Sequence, residues 1–215
     1  MCPVICMITP PTSPGPAARG ELIDRVRAAA GAGVHLVQIR QPDFEGGELT
    51  ALVHHAVAAV GGTRARVLVN DRIDVALAAG AHGVHLRGNS VPAARVRRMV
   101  PSGFVIGRSV HSLDEAVRVI REGSLDYLTF GTVFGTASKP GAAPAGTEAL
   151  ATVCAASPLP VLAIGGMNQE TLRAVGRTGA AGFAAIGLFA DAAPATLQWV
   201  IRDSVRLFDT SAGVP

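Results

Sequence analysis

The chain is poor in charge, in aromatic residues and in cysteine, and it has no long apolar run. Only 16% of its 215 residues are Asp, Glu, Lys or Arg, while 49% are apolar. So low a charge fraction implies a compact globule with much buried surface. The length suits one domain with a substantial core and is short for two, so a single domain over residues 1–215 is expected. The aromatics are one Trp, one Tyr and seven Phe, and they do not interleave with basic residues. No Lys/Arg block exists beyond Arg95, Arg97 and Arg98, and the net charge is +3. Nucleic acid is therefore not an expected partner. The mild basicity suits an anionic small molecule instead. Cys2, Cys6 and Cys154 cannot all pair with one another, and their spacing fits no zinc pattern. Gly, Pro or charge interrupts every apolar run before it reaches the length of a membrane span. MCPVICMITP is too short and too poorly flanked for a signal peptide. The expectation is a cytoplasmic protein with no membrane partner.

What the chain does have is a regular alternation. Eight short apolar runs begin at Val4, Val34, Val67, Gly83, Phe104, Tyr127, Val161 and Phe183. Amphipathic helical windows separate them, from Glu21–Ala30 to Pro194–Leu207. The runs are nearly continuous in apolar residues, as strands buried on both faces require. Eight strand–helix units in this length predict a minimal (β/α)₈ TIM barrel. The punctuation agrees. Ser112 followed by Glu115 has the capping-box pattern, and Pro92 fits a first helical turn. Gly33, Gly80 and Gly179 follow helices, where a left-handed cap suits glycine. A dinucleotide-binding open sheet would need G-x-G-x-x-G after the first strand, and ITPPTSPG lacks it. The small, polar stretch Gly135–Gly146 has the character of a lid.

In such a barrel the chemistry sits where strands end. Those positions hold Gln38, Arg40, Asn70, Asp71, Ser109, His111, Thr132, Thr136 and Lys139, with Gly165, Gly166 and Gly187 after the last two strands. Donors and cations outnumber acids, so an anion is the expected ligand. The doubled glycine of IGGM and Gly187 could present backbone N–H groups to a phosphate with no Cβ in the way. A tight turn needing positive φ is the rival account of the same glycines. Asn70 and Asp71 could bind substrate or metal, or one of them could cap the next helix. His111 could serve as an acid–base group or as a hydrogen-bonded rim residue. Lys139 could close onto a phosphate as a mobile charge.

The set VQIRQ (37–41), LVNDRIDVALAAGAHGVHL (68–86), IGRSVHSLDEA (106–116), DYLTFGTVFGTASKPG (126–141) and IGGM (164–167) resembles the thiamin phosphate synthase/TenI family. That family is a (β/α)₈ barrel. The resemblance implies one of two chemistries. The synthase joins a pyrimidine pyrophosphate to a thiazole phosphate with loss of pyrophosphate and needs Mg²⁺. TenI-type members act as thiazole tautomerases and need no metal or other cofactor.

Three departures from the family patterns separate these readings. In the synthase the arginine matching Arg40 is followed by Glu-Lys, and that lysine helps hold pyrophosphate; here Gln41 and Pro42 follow. A second Mg²⁺-binding Asp after strand 4 is Ser90 here, leaving Asp71 alone for the metal. The histidine of the TenI Gly-His-Val-Phe run is Thr132. Weighing the first two losses, a TenI-like tautomerase binding a phosphorylated thiazole is expected, with His111 as the candidate base. Gly165, Gly166 and Gly187 would hold the phosphate. Gln38, Arg40, Asn70, Ser109, Thr132, Thr136 and Lys139 would contact the substrate. The synthase is the alternative, and a catalytically silent phosphate-ligand sensor is a third reading. A homodimer is also expected as a possibility from the size of the barrel.

Overall fold

A computed structural model describes residues 2–136, 141 and 143–209. Eight parallel strands close into a barrel in chain order. They are β1 Val4–Ile8, β2 Leu36–Ile39, β3 Arg66–Asn70, β4 Gly83–Leu86, β5 Val105–Val110, β6 Tyr127–Phe130, β7 Val161–Ile164 and β8 Gly182–Ala185. β8 pairs back onto β1, with Val4 opposite Gly182, so closure leaves no open edge. The helices are α1 Pro16–Gly31, α2 Gly46–Ala59, α3 Ile73–Ala78, α4 Ala93–Arg97, α5 Leu113–Glu122, α6 Gly146–Ala156, α7 Gln169–Gly176, α8 Gly187–Ala190 and α9 Leu197–Phe208. The fold is thus the single (β/α)₈ barrel that the periodicity predicts. The sequence pattern did not reveal α8, because four residues are too few to display a helical period. Among the described residues, no helix is long and apolar enough to cross a membrane.

Local chemistry sets the helix ends. Ser112 accepts the Glu115 amide at the start of α5. The Glu115 carboxylate turns instead to the His111 amide, at 2.7 Å, so half of the expected capping box forms. Asn168 and Thr171 make a complete reciprocal box at the start of α7. Gly33, Gly80 and Gly179 all have positive φ, as their positions after helices predict.

The period-2 alternation of the strands divides the core into two layers. Outward residues such as Met7, Val37, Val69, Leu86 and Phe183 pack against Val26, Leu52, Leu150 and Leu172 of the helices. Each such fully buried side chain contributes about 1.5–3 kcal/mol. Inside the barrel, Cys6, Ile8, Leu68, Tyr127, Leu162 and Ala184 form a second, smaller cluster. Tyr127 fits there because residue 107 is glycine. A Cβ at Gly107 would lie 2.2 Å from the tyrosine ring.

The N-terminal end of the barrel closes with a repeated device. The amide of the second residue of β1, β3 and β5 donates to the side chain just before the following strand. Ile5 N donates to His35 Nδ1 at 3.2 Å, Val67 N to His82 Nδ1 at 3.0 Å, and Ile106 N to Asp126 Oδ2 at 2.7 Å. Burial, helped by Arg64 and Arg66 respectively, lowers the pKa of His35 and His82 and keeps them neutral acceptors.

Candidate active site

A cavity of about 660 Å³ opens at the C-terminal ends of the strands. Its floor is polar although it lies inside the barrel. Gln38 of β2 donates from Nε2 to Asn70 Oδ1 of β3 at 2.9 Å. Gln38 Oε1 is buried and has no hydrogen-bond partner among the described residues. A buried acceptor left open is costly unless a ligand fills it.

Beside this pair, His85 of β4 is buried, with Nδ1 2.8 Å from Tyr127 Oη and Nε2 2.8 Å from Ser109 Oγ. Burial lowers its pKa to about 4, so the ring is neutral. A neutral imidazole has one donor and one acceptor. The Tyr127 hydroxyl has no other partner among the described residues, so satisfying its proton requires donation to Nδ1. Nε2–H then donates to Ser109 Oγ. The Ser109 proton is left to point at Thr129 Oγ1, 3.1 Å away, or into the cavity. The relay Tyr127–His85–Ser109 thereby makes Ser109 Oγ an acceptor from His85 and leaves its proton for Thr129 or a ligand.

The rim has two unlike walls. On the β7–β8 side it is backbone: Gly165, Gly166 and Gly187 line the cavity with Ile186 and Met167. Gly165 and Gly166 have φ of 102° and 65°, which side chains rarely adopt. A Cβ on Gly165 would lie 2.6 Å from Thr132 Cγ2, and one on Gly166 2.6 Å from the Gly135 carbonyl oxygen. The doubled glycine is therefore required by the turn and by the β6–α6 loop packed against it. It also leaves that wall bare. Gly187 has neither constraint, and its nearest neighbour to a Cβ is Asp191 Oδ2 at 3.5 Å.

On the β2–β4 side the wall is charged. Arg40 and Arg87 both line it and are exposed. Arg87 Nε donates to Asp71 Oδ2 at 2.7 Å. Ser90 Oγ donates to Asp71 Oδ1 and accepts the Arg87 amide at 2.9 Å. Arg108, buried behind β4, donates to the carbonyls of Gly88, Ser90 and Val91 and pins this loop.

The cavity brings together Gln38, Arg40, Asn70, Ser109, His111, Thr132, Thr136, Gly165, Gly166 and Gly187. Asp71 does not line it, since its carboxylate is turned to Arg87 and Ser90. Neither Asn70 nor Asp71 caps α3, whose N-cap is Arg72 without a side-chain bond. Lys139 lies outside the described residues, as do positions 137–140 and 142 of the stretch read as a lid. His111 lies on the rim, with Nδ1 bonded to the Gly131 carbonyl. Gln41, in the strand-2 motif, faces away from the cavity. It is buried and ties down the β1–α1 loop through Thr9 Oγ1, the Pro10 carbonyl and the Thr12 amide. Sequence reasoning left His85, Tyr127 and Arg87 out of the site. His85 and Arg87 stand at the end of strand 4, where position does mark them as strand-end residues, but the sequence assigns neither a role. Tyr127 sits at the start of β6 and enters only through the space above Gly107.

A family profile described as thiamine monophosphate synthase matches residues 5–189. The chain belongs to that family. Among curated relatives, the thiamine-phosphate synthase of Methanoculleus marisnigri is 42% identical over 164 residues, 76% of this chain and 77% of that protein. The one from Anaeromyxobacter dehalogenans is 40% identical over 160 residues, 74% of this chain and 71% of that protein. The structure of the thiamine phosphate pyrophosphorylase from Pyrococcus furiosus superposes with a TM-score of 0.81 at 28% identity, covering 98% of this chain and 97% of that one.

These relatives overturn the tautomerase reading favoured from sequence. That reading treated Pro42 and Ser90 as lost function. The structure shows a cation, Arg87, on the wall beside Ser90. Thr132, where the TenI pattern has histidine, offers no base near neutral pH.

Proposed function

We propose that the chain is a thiamin phosphate synthase, joining hydroxymethylpyrimidine pyrophosphate to a thiazole phosphate and releasing pyrophosphate. One observation carries this reading: a single cavity has two separate anion-receptive walls, one of backbone and one of arginine. A phosphate monoester suits the bare glycine wall, where backbone N–H groups serve. A pyrophosphate, with more charge, suits Arg40 and Arg87. Between them, Gln38 Oε1 offers a buried acceptor to a donor on the pyrimidine, and Ser109 Oγ accepts from His85 with its proton available to a ligand. The coupling expels an anion, so cations at the leaving group stabilise the transition state. His111 and Thr136 on the rim, and Lys139 beyond the described residues, are proposed to contact the substrates.

Mg²⁺ accompanies this chemistry in the family resemblance, and the residues present fit it poorly. Among the described residues no group of three or more His, Cys, Asp or Glu could hold a metal ion. Asp71 has both oxygens engaged, by Arg87 and by Ser90. Glu115, which also lines the cavity, accepts the His111 amide. A Mg²⁺ ion would have to displace Arg87 and rely on substrate oxygens and water.

The test is a coupled assay with both substrates and Mg²⁺. Thiamin phosphate is expected at an ordinary enzymatic rate, above about 0.1 s⁻¹. Binding of both substrates without product would overturn the reading.

A further inference from the structure

We infer that Arg87 is a pyrophosphate-binding residue and that it, with Asp71 as its anchor, carries the positive charge that a divalent cation would otherwise bring to this wall. The inference rests on the synthase reading for the identity of the ligand.

The geometry of the pair is the starting point. Arg87 Nε and Nη2 approach the same oxygen, Asp71 Oδ2, at 2.7 and 2.6 Å. A guanidinium has five N–H groups, and this contact uses two. The others have no partner among the described residues, and the side chain is 63% exposed at the cavity. An arginine held at one edge and open at the other is a pre-oriented anion receptor. Were Asp71 only closing a surface ion pair, the contact would be worth little. The surrounding structure holds both partners more firmly than a surface pair requires. Asp71 adopts φ of 59°, a left-handed conformation sparsely populated by non-glycine residues, and its amide donates to the His85 carbonyl at 2.9 Å. Ser90 takes the second carboxylate oxygen and the Arg87 amide together. Arg108 spends its buried guanidinium on three carbonyls of the same loop.

Charge decides what the cluster prefers. Asp71 and Arg87 cancel, so the cluster alone has no excess negative charge to attract Mg²⁺. A carboxylate at position 90 would reverse that balance by placing a second anion against Asp71. With serine there, the guanidinium stays free to meet an incoming anion, and Arg40 reinforces it on the same wall.

The experiment is calorimetric titration of the whole protein with inorganic pyrophosphate in EDTA, together with Mn²⁺ binding followed by electron paramagnetic resonance. The wild type is expected to bind pyrophosphate without a divalent ion. Arg87→Gln should weaken that affinity at least about tenfold, as loss of a charge-assisted contact requires. The Arg87 side chain is exposed, so its loss leaves the core intact, and Ser90→Asp supplies a second variant with a two-sided signature. It should weaken pyrophosphate in EDTA and tighten Mn²⁺ by about tenfold each, because it adds a carboxylate beside Asp71. A pyrophosphate affinity of Arg87→Gln within twofold of wild type would overturn the inference. So would a wild type that binds pyrophosphate only when a divalent ion is present. If pyrophosphate binds through Arg87 but no thiamin phosphate forms from the two substrates, the synthase reading fails and this one stands.

Discussion

The two ends of the barrel handle polar groups in opposite ways. At the N-terminal end, His35, His82 and Asp126 each meet a strand amide that would otherwise be orphaned. At the C-terminal end, among the described residues, Gln38 Oε1 is left without a partner, Arg87 has N–H groups to spare, and Asp71 holds a left-handed backbone. An end that binds nothing has to satisfy itself, because each open buried group costs about 1–3 kcal/mol. An end that binds substrate leaves groups open and lets the ligand complete them. Variants at the two ends should therefore separate function from stability.

The largest effect is expected at the open end. Arg40 lines the cavity, and its side chain has no partner among the described residues. Arg40→Ala should lower kcat/KM for the pyrimidine pyrophosphate about 100-fold, the loss of one strong charge-assisted contact, while leaving Tm unchanged. A fall in Tm with kcat/KM intact would mean that this end is structural too. The mirror image is Asp126→Ala at the closed end. It removes the acceptor of the fully buried Ile106 amide and should destabilise the fold by about 2 kcal/mol in denaturant titration. The Arg97 ion pair it also breaks is partly solvent-exposed and adds little. The folded fraction should retain its kcat/KM; a selective loss of activity would erase the distinction between the ends.

The same contrast explains what the sequence could reveal. Strand positions were legible because eight buried parallel strands print eight apolar runs, and β1, β4 and β7 begin and end where the runs do. The cavity rim was legible because a barrel places its chemistry at strand ends. Contacts between strands were not. That His85 meets Tyr127 across 42 residues depends on Gly107 clearing the interior. That His35 and His82 repeat one capping role depends on barrel register, which no local run of residues displays. The subclass was misjudged because residues 42 and 90 were compared one at a time. The charge of the wall is a sum, and Arg87 restores part of it from a neighbouring position.

Acid should find the closed end first. The pKa values of His35 and His82 are lowered in the folded state, below the ordinary 6.5. Between the folded and unfolded values the unfolded chain binds more protons, so stability is full above about pH 6.5 and falls as pH drops. His85, lowered to about 4, extends the same loss down to that pH. Tm should hold from pH 7.5 to about 6.5 and decline from there to pH 4. In the double variant His35→Gln/His82→Gln an amide oxygen accepts but does not titrate, so the upper part of the slope should flatten and the His85 part should remain. Identical slopes in both proteins would remove the two histidines from the account.

The smallest effect tests whether the open end is supported from outside. Arg25 on α1 lies away from the cavity, yet its Nη1 donates to the Phe189 carbonyl at 2.6 Å and to the Ala192 carbonyl. These are the last carbonyls of α8 and the turn after it, groups a helix leaves unsatisfied and a cation suits. The first residue of α8 is Gly187, on the proposed phosphate wall. A four-residue helix has little internal rigidity, so its seat rests on Arg25 and on the fully buried Phe189. Arg25→Met should keep the packing of the stem and lose the bonds. The expected result is a rise of about threefold in KM for the thiazole phosphate, roughly 0.7 kcal/mol, with kcat unchanged. If KM does not move, Phe189 alone seats the helix and Arg25 serves only stability. If kcat falls as well, α8 orients the reacting ring and not merely its phosphate.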